Sequence, residues 1–167
     1  AEHRLDARRD VVGEHRNGAG RRDRGQQRIA NTAARDRRLH VLVERAHGAL
    51  GETRPRLLNL FGYTATASIV AARVGFEVTH VDASKTSLAW ARENMVASGL
   101  PADGMRIVLD DALAFARREV RRGARYHGIL LDPPHYGRGP KGEKWQFEEH
   151  AATLVDACRG LLAERGF

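Results

Sequence analysis

Acidic side chains follow three apolar segments that have the length and composition of buried strands. Asp82 ends FEVTHVD, Asp110 and Asp111 end MRIVLDD, and Asp132 ends HGILLD. The carboxyl ends of parallel strands form the ligand-binding edge of a doubly wound sheet. Asp82 also follows Gly62 by 20 residues, the spacing at which nucleotide-binding folds place an acid on ribose hydroxyls. The sequence therefore predicts one binding site along this edge.

Each acid also has a purely structural explanation. Asp82 could cap the helix predicted near Ser84, and Asp110 or Asp111 could cap the helix predicted near Ala112. Acids on three successive strand tips favour a shared ligand over unrelated caps.

A rigid corner, Asp132-Pro133-Pro134-His135-Tyr136, follows the fourth apolar segment. Two prolines fix two φ angles and offer carbonyl acceptors without N–H donors. Such a corner can hold Asp132 at a reacting group, accept from the amino group of a nucleobase, and let Tyr136 pack on a flipped base. The alternative is a rigid turn with an exposed tyrosine.

The next segment, GRGPKGEK, is predicted to be a flexible basic loop. Its cations Arg138, Lys141 and Lys144 suit the phosphates of a nucleic-acid backbone. A merely solvated loop is an equally good explanation.

Strand and helix patterns alternate from residue 54 onward. The predicted strands are residues 56–61, 76–82, 105–110 and 127–132, and the predicted helices are residues 64–75, 84–99, 111–122 and 145–165. This alternation is typical of right-handed βαβ units around a parallel sheet. We predict an α/β, doubly wound, Rossmann-like fold.

Composition bounds the class of protein. A chain of 167 residues suits one domain with a real core. One cysteine excludes an internal disulfide framework, and no apolar run approaches the ~20 residues of a membrane span. No signal peptide opens the sequence, so we expect a cytoplasmic protein without a membrane partner. The oligomeric state stays open.

The positive charge is concentrated near the start of the chain. Residues 1–50 contain 12 arginines and no aromatic residue, and they carry +5 of the net charge of +7. We predict a mobile or weakly helical arginine-rich arm over residues 1–31 and a domain over residues 32–167, which begins with a helix over residues 32–50. The arm could bind phosphates, but arginine without aromatics offers no base-stacking platform, which favours a solvated segment.

The glycine pattern after the first strand argues against a dinucleotide cofactor. GYTATA, residues 62–67, keeps only the first glycine of GxGxxG. NAD is therefore disfavoured.

Together, NLFGYTATAS, THVDASKTSLAWARENM and IVLDDALAFARREVRRGARYHGILLDPPHYGRGPKGEKW resemble class I S-adenosylmethionine-dependent methyltransferases. The nearest branch is the 23S ribosomal RNA cytosine-C5 methyltransferases, and the resemblance covers about residues 54–165. It implies S-adenosylmethionine as the cofactor and RNA, with ribosomal RNA expected, as the substrate.

The resemblance also implies roles for individual residues. The methionine side of the cofactor would meet Asn59, Phe61, Gly62, Tyr63 and Thr64, and its ribose would meet Asp82. Its adenine would meet Ala83, Ser84, Asp110 and Asp111, and the methyl-transfer pocket would contain Asp132, Pro133, Pro134 and Tyr136. One departure is Ala65, where relatives commonly have glycine. A positive φ at this position would make Ala65 unfavourable for cofactor binding.

Cytosine C5 methylation needs a thiolate that adds to C6 of the ring. In the resembled enzymes this cysteine follows a later strand. Cys158 instead lies in a helical pattern with Leu154 and Leu161, as a small buried residue would. We therefore expect a fragment or degraded copy of a longer enzyme.

Three functions remain open. The favoured one is a methyltransferase that acts on a base in RNA. The second is a non-catalytic module that binds S-adenosylmethionine or RNA. The third is an N-methyltransferase that uses the Asp132 corner on an exocyclic amine and needs no cysteine.

Overall fold

The computed structural model describes residues 37–51 and 54–167. The predicted arm, residues 1–31, lies outside the described residues. The described part of the predicted lead-in helix is α1 (Arg37–Leu50), which is followed by Gly51 with a φ of 66°. No helix within these two described ranges is long and apolar enough to cross a membrane.

Strands and helices alternate after α1, and a small hairpin follows them. The elements are β1 (Arg56–Leu60), α2 (Thr66–Val74), β2 (Glu77–Asp82), α3 (Lys85–Ala97), β3 (Arg106–Leu109), α4 (Ala112–Arg121), β4 (Gly128–Leu131), β5 (Tyr136–Arg138), β6 (Lys144–Gln146) and α5 (Phe147–Arg159). Strands β1 to β4 form one parallel sheet in the order β3-β2-β1-β4. The predicted doubly wound fold is confirmed, and these four strands begin and end within one residue of their predicted bounds.

Helices cover both faces of the sheet because successive side chains of a strand point to opposite faces. Leu57 of β1 belongs to a core with residues of α1, α2 and α3. Leu58 and Leu60 belong to a second core with residues of α4 and α5. The two buried layers fix the register of β1, so its carboxyl end meets those of β2 and β4 at one edge.

The chain after the Asp-Pro-Pro corner differs from its prediction. Two predictions are wrong here, a flexible loop over residues 137–144 and a helix that begins at Trp145. Tyr136–Arg138 instead pairs antiparallel with Lys144–Gln146. Glu143 holds the turn: its backbone carbonyl accepts from Gly139 N (2.8 Å), and its carboxylate accepts from Lys141 N (2.8 Å). Strand pairing and the burial of Trp145 override the local helix signal, and α5 begins at Phe147.

Candidate functional site

A cavity of about 480 Å³ opens beyond the carboxyl ends of the strands. It brings together ten of the predicted site residues, namely Phe61, Tyr63, Asp82, Ala83, Ser84, Asp110, Asp111, Asp132, Pro133 and Pro134. Its volume lies within the range of about 300 to 1,000 Å³ that is usual for small-molecule sites. The strand tips therefore do converge on one concave site, as the sequence predicts.

Asp82, at the end of β2, joins two segments of the cavity wall. One carboxylate oxygen, Oδ2, accepts from Tyr63 N at 2.9 Å, and Oδ1 accepts from Ser84 N at 2.8 Å. Ser84, rather than Asp82, caps α3, with its hydroxyl accepting from Ser87 N. A carboxylate oxygen has two lone pairs, so each oxygen of Asp82 can accept one further hydrogen bond from a ligand.

The loop after β1 has an unusual backbone. Phe61, Tyr63 and Ala65 have φ values of 58°, 50° and 73°, in the left-handed region that costs roughly 1–2 kcal/mol for a residue with a Cβ. Ala65 thus does have a positive φ. This is the case in which alanine, at a position where relatives commonly have glycine, is predicted to be unfavourable for cofactor binding. Phe61 leaves the strand at this point, so β1 ends at Leu60 and not at residue 61.

Gly62 is needed for a different reason, the close approach of a buried ring. A Cβ on Gly62 would lie 2.2 Å from Cε1 of His80, far closer than non-bonded carbon atoms approach each other in a folded protein. His80 is fully buried, and its Nδ1 lies 2.9 Å from the Ser68 hydroxyl. The absence of a side chain at Gly62 lets the loop lie directly on the His80 ring.

Asn59 supports this loop from below. Its side-chain amide donates to Ser68 Oγ at 2.9 Å, so the Ser68 hydroxyl is available to donate to Nδ1 of His80. Burial, the largest cause, lowers the pKa of His80 to about 4, and the ring is neutral at physiological pH. Asn59 and Thr64 are both buried and line a second cavity of about 400 Å³ that shares Phe61, Tyr63 and Asp132 with the first.

Asp110 and Asp111 have structural partners at the edge of the cavity. Asp111 caps α4, with Oδ1 accepting from Ala114 N at 2.8 Å. Asp110 accepts from Asp111 N at 2.9 Å and forms an ion pair with Arg118. Asp111 therefore takes the capping role that the sequence allows, and both acids also line the cavity.

The Asp132 corner is exposed at the boundary of the two cavities, and Asp132 lines both of them. The carbonyl of Pro134 already accepts from the indole Nε1 of Trp145 at 2.7 Å, which leaves one of its two lone pairs for a ligand. Tyr136 is 74% exposed and lines neither cavity, so it stands at the rim and not inside.

Sequence reasoning missed the hairpin side of the cavity. Gly137, Arg138, Gly139 and Trp145 line the same cavity as the residues at the strand tips. The available signal for this side is the aromatic Trp145, two residues before α5 begins. Trp145 also fits the apolar spacing of a helix, so the sequence pattern does not mark it as a cavity residue.

Cys158 does not reach the site. It lies in α5, 5% exposed, and packs in the core with Leu154 and Leu161. Burial raises the pKa of its thiol to about 11. The prediction of a small buried residue agrees with this position, since such a thiol is neither accessible nor ionised at neutral pH.

Two solved structures that are similar to this chain are named as methyltransferases. The SAM-dependent methyltransferase from Agrobacterium tumefaciens has a TM-score of 0.70 and 46% sequence identity, over 77% of this chain and 39% of that protein. A structure assigned as a methyltransferase and complexed with SAH has a TM-score of 0.60 and 29% identity, over 67% of this chain and 29% of that protein.

Curated relatives are named as ribosomal RNA large subunit methyltransferases. Methyltransferase K/L from Shewanella sp. (strain ANA-3) is 39% identical over 130 residues, which is 76% of this chain and 18% of the relative. Methyltransferase I from Aeromonas salmonicida is 35% identical over 106 residues, 63% of this chain and 24% of the relative. The chain thus spans about a fifth of the length of these relatives. No family model matches the chain.

We expect Gly62→Ala to destabilise the protein by about 1–3 kcal/mol, because the new methyl group forces the loop or the His80 ring to move. Gly48→Ala is the matched control, since a Cβ at this helical position meets nothing within 4 Å. Urea unfolding measures both variants. An unchanged free energy of unfolding for Gly62→Ala would contradict the close approach to His80.

The pKa of His80 predicts a loss of stability in acid. Its folded-state pKa of about 4 is below the ordinary value of 6.5, so between these pH values the unfolded chain binds a proton that the folded chain does not. Stability from this group is complete above pH 6.5 and falls as pH decreases, by about 2 kcal/mol at pH 4.5. His80→Gln should flatten the difference in unfolding free energy between pH 7 and 4.5, whereas the exposed His40→Gln should not. Equal pH dependence in His80→Gln and the wild type would refute the assignment.

Proposed function

We propose that this domain is an S-adenosylmethionine-dependent methyltransferase that transfers a methyl group to a base in RNA, with ribosomal RNA as the substrate class. The observation that carries the proposal is the cavity of about 480 Å³ that is lined by both Asp82 and the Asp-Pro-Pro corner. The 46% identity to a SAM-dependent methyltransferase and the names of the ribosomal RNA relatives support the chemistry and the substrate.

The residues present fit the cofactor. Asp82 has one free lone pair on each oxygen for the vicinal hydroxyls of a ribose. The methionine side would lie along Phe61, Gly62, Tyr63 and Thr64, above the buried Asn59, and the adenine would lie against Ala83, Ser84, Asp110 and Asp111. When bound, S-adenosylmethionine supplies an electrophilic methyl group on a sulfonium centre.

The acceptor base would lie at Asp132. Its exposed carboxylate accepts a hydrogen bond from an exocyclic amine and so aims the amine nitrogen at the cofactor site. Pro133 fixes the backbone next to it, and Tyr136, 74% exposed, offers a ring face to an extruded base. An exocyclic amine is the acceptor that fits best, because the groups that would position it, Asp132, Pro133 and Tyr136, are present among the described residues.

The cytosine-C5 branch is the second candidate. It requires a thiolate at the base, and Cys158, which is buried in α5, cannot supply one. Under this candidate the thiolate comes from outside these 167 residues, because Cys158 is their one cysteine.

Asp82→Ala should weaken the binding of S-adenosylmethionine about 10- to 100-fold, because it removes two hydrogen bonds to a charged acceptor. Asp103→Ala, an exposed acid at the opposite edge of the sheet, should leave affinity unchanged. Isothermal titration gives the affinity, and circular dichroism verifies the fold. Wild-type affinity in Asp82→Ala would refute the ribose assignment.

The acceptor is tested by transfer of a tritiated methyl group to bacterial ribosomal RNA. After digestion to nucleosides, chromatography separates methyl groups on nitrogen from methyl groups on C5 of cytidine. Methylation on nitrogen supports the Asp132 proposal, and methylation on C5 supports the second candidate. Cofactor binding without any transfer would instead indicate a binding module.

The hairpin should contribute to RNA affinity. Lys141 and Lys144 are exposed on it, and together they can neutralise two phosphates. The double variant Lys141→Gln, Lys144→Gln should reduce the slope of log affinity against log salt by about 1.4 for a single strand. Arg121→Gln, an exposed cation at the far end of α4, is the control. An unchanged slope in filter-binding measurements would show that the lysines are merely solvated.

A further inference from the structure

Trp145 joins the loop after β1 to the corner after β4 and to the hairpin that continues from this corner. Its indole Nε1 donates to the Pro134 carbonyl at 2.7 Å, and its ring lies 4.9 Å from that of Phe61 at an angle of 57°. It is 3% exposed, and its backbone pairs with Gly137 across the hairpin. Its side chain therefore contacts the loop after β1 and the corner after β4, while its backbone belongs to the hairpin.

These contacts give Trp145 a specific mechanical role. Phe61 has a left-handed backbone, and Pro133 and Pro134 have no N–H with which to donate to their surroundings. The indole N–H holds the corner by donating to the Pro134 carbonyl, and the Phe147 N–H holds the next residue by donating to the His135 carbonyl at 2.9 Å. The indole ring also packs on Phe61. The loop after β1 and the Asp132 corner are therefore held at a fixed distance from each other.

We propose that Trp145 is a positioning residue for methyl transfer. It sets the distance between the loop after β1 and the Asp132 corner, which are the cofactor side and the acceptor side under the proposed function on which this inference rests. A displacement of about 1 Å between reacting groups can cost about 100-fold in rate. Loss of the indole N–H should therefore lower turnover far more than it lowers cofactor affinity.

Trp145→Phe separates this role from simple core packing. Phenylalanine keeps an aromatic ring against Phe61 but cannot donate to the Pro134 carbonyl. Trp90→Phe is the control, since Trp90 is 43% exposed on α3 and does not line the cavity. Each variant of the 167-residue chain is compared with the wild type for affinity to S-adenosylhomocysteine, for kcat and KM with ribosomal RNA, and for thermal midpoint.

We expect Trp145→Phe to bind S-adenosylhomocysteine within about threefold of the wild type and to lose about 10-fold or more in kcat. Trp90→Phe should match the wild type in both. An unchanged kcat in Trp145→Phe would overturn the proposal. A loss of affinity as large as the loss of kcat would also overturn it, because it would mean that Trp145 only builds the cofactor pocket.

A spectroscopic measurement covers the case in which Trp145→Phe does not fold. In Trp90→Phe, Trp145 is the single tryptophan of the chain, and its emission should change on titration with S-adenosylhomocysteine because it lines the cavity. Binding by calorimetry without any change in emission would refute the role of Trp145 and leave the proposed function intact. No binding to the wild type by calorimetry would instead refute the proposed function.

Discussion

The site depends on the hydrogen bonds of Asp82, which connect the ends of β1 and β2. One carboxylate accepts from the backbone N–H groups of Tyr63 and Ser84, at 2.9 and 2.8 Å, and so fixes the loop after β1 against the start of α3. Hydrogen bonds to an ionised acceptor are roughly twice as strong as neutral ones. Because both donors are backbone groups, these hydrogen bonds constrain the path of the chain whatever the side chains are. This constraint fixes the shape of the cavity wall that contains Tyr63, Asp82 and Ser84.

The loop that Asp82 holds is strained, and its surroundings compensate for the strain. Left-handed non-glycine residues persist only where neighbouring structure over-determines them. Here the support comes from beneath, where Asn94 donates to the Thr64 carbonyl at 3.0 Å and the His80 ring fills the space under Gly62. From the other side, Phe61 packs on Trp145. The strain is therefore concentrated where the chain approaches the cavity, and ordinary packing around it opposes relaxation.

The sequence predicts the parts of this site that local pattern decides. Strand bounds, the doubly wound fold and the acids at the strand tips follow from apolar runs and from topology, and the comparisons agree with the predicted class of enzyme. The hairpin could not be found in this way, since its stability comes from the Trp145 contact with Pro134, 11 residues away, and from the Glu143 turn. Local signals at Trp145 favour a helix, and tertiary contacts override them. The functional roles of the individual site residues remain predictions.

The two sides of the cavity differ in how firmly they are built, and this difference bears on specificity. Asp82 and Asp111 each accept from backbone amides, whereas Asp132 is exposed and Tyr136 stands at the rim. Under the proposed function, the firm side holds the cofactor and the open corner receives the acceptor base. An exposed Asp132 suits an exocyclic amine but encloses no particular ring, so the described residues favour a class of acceptor and not one nucleotide.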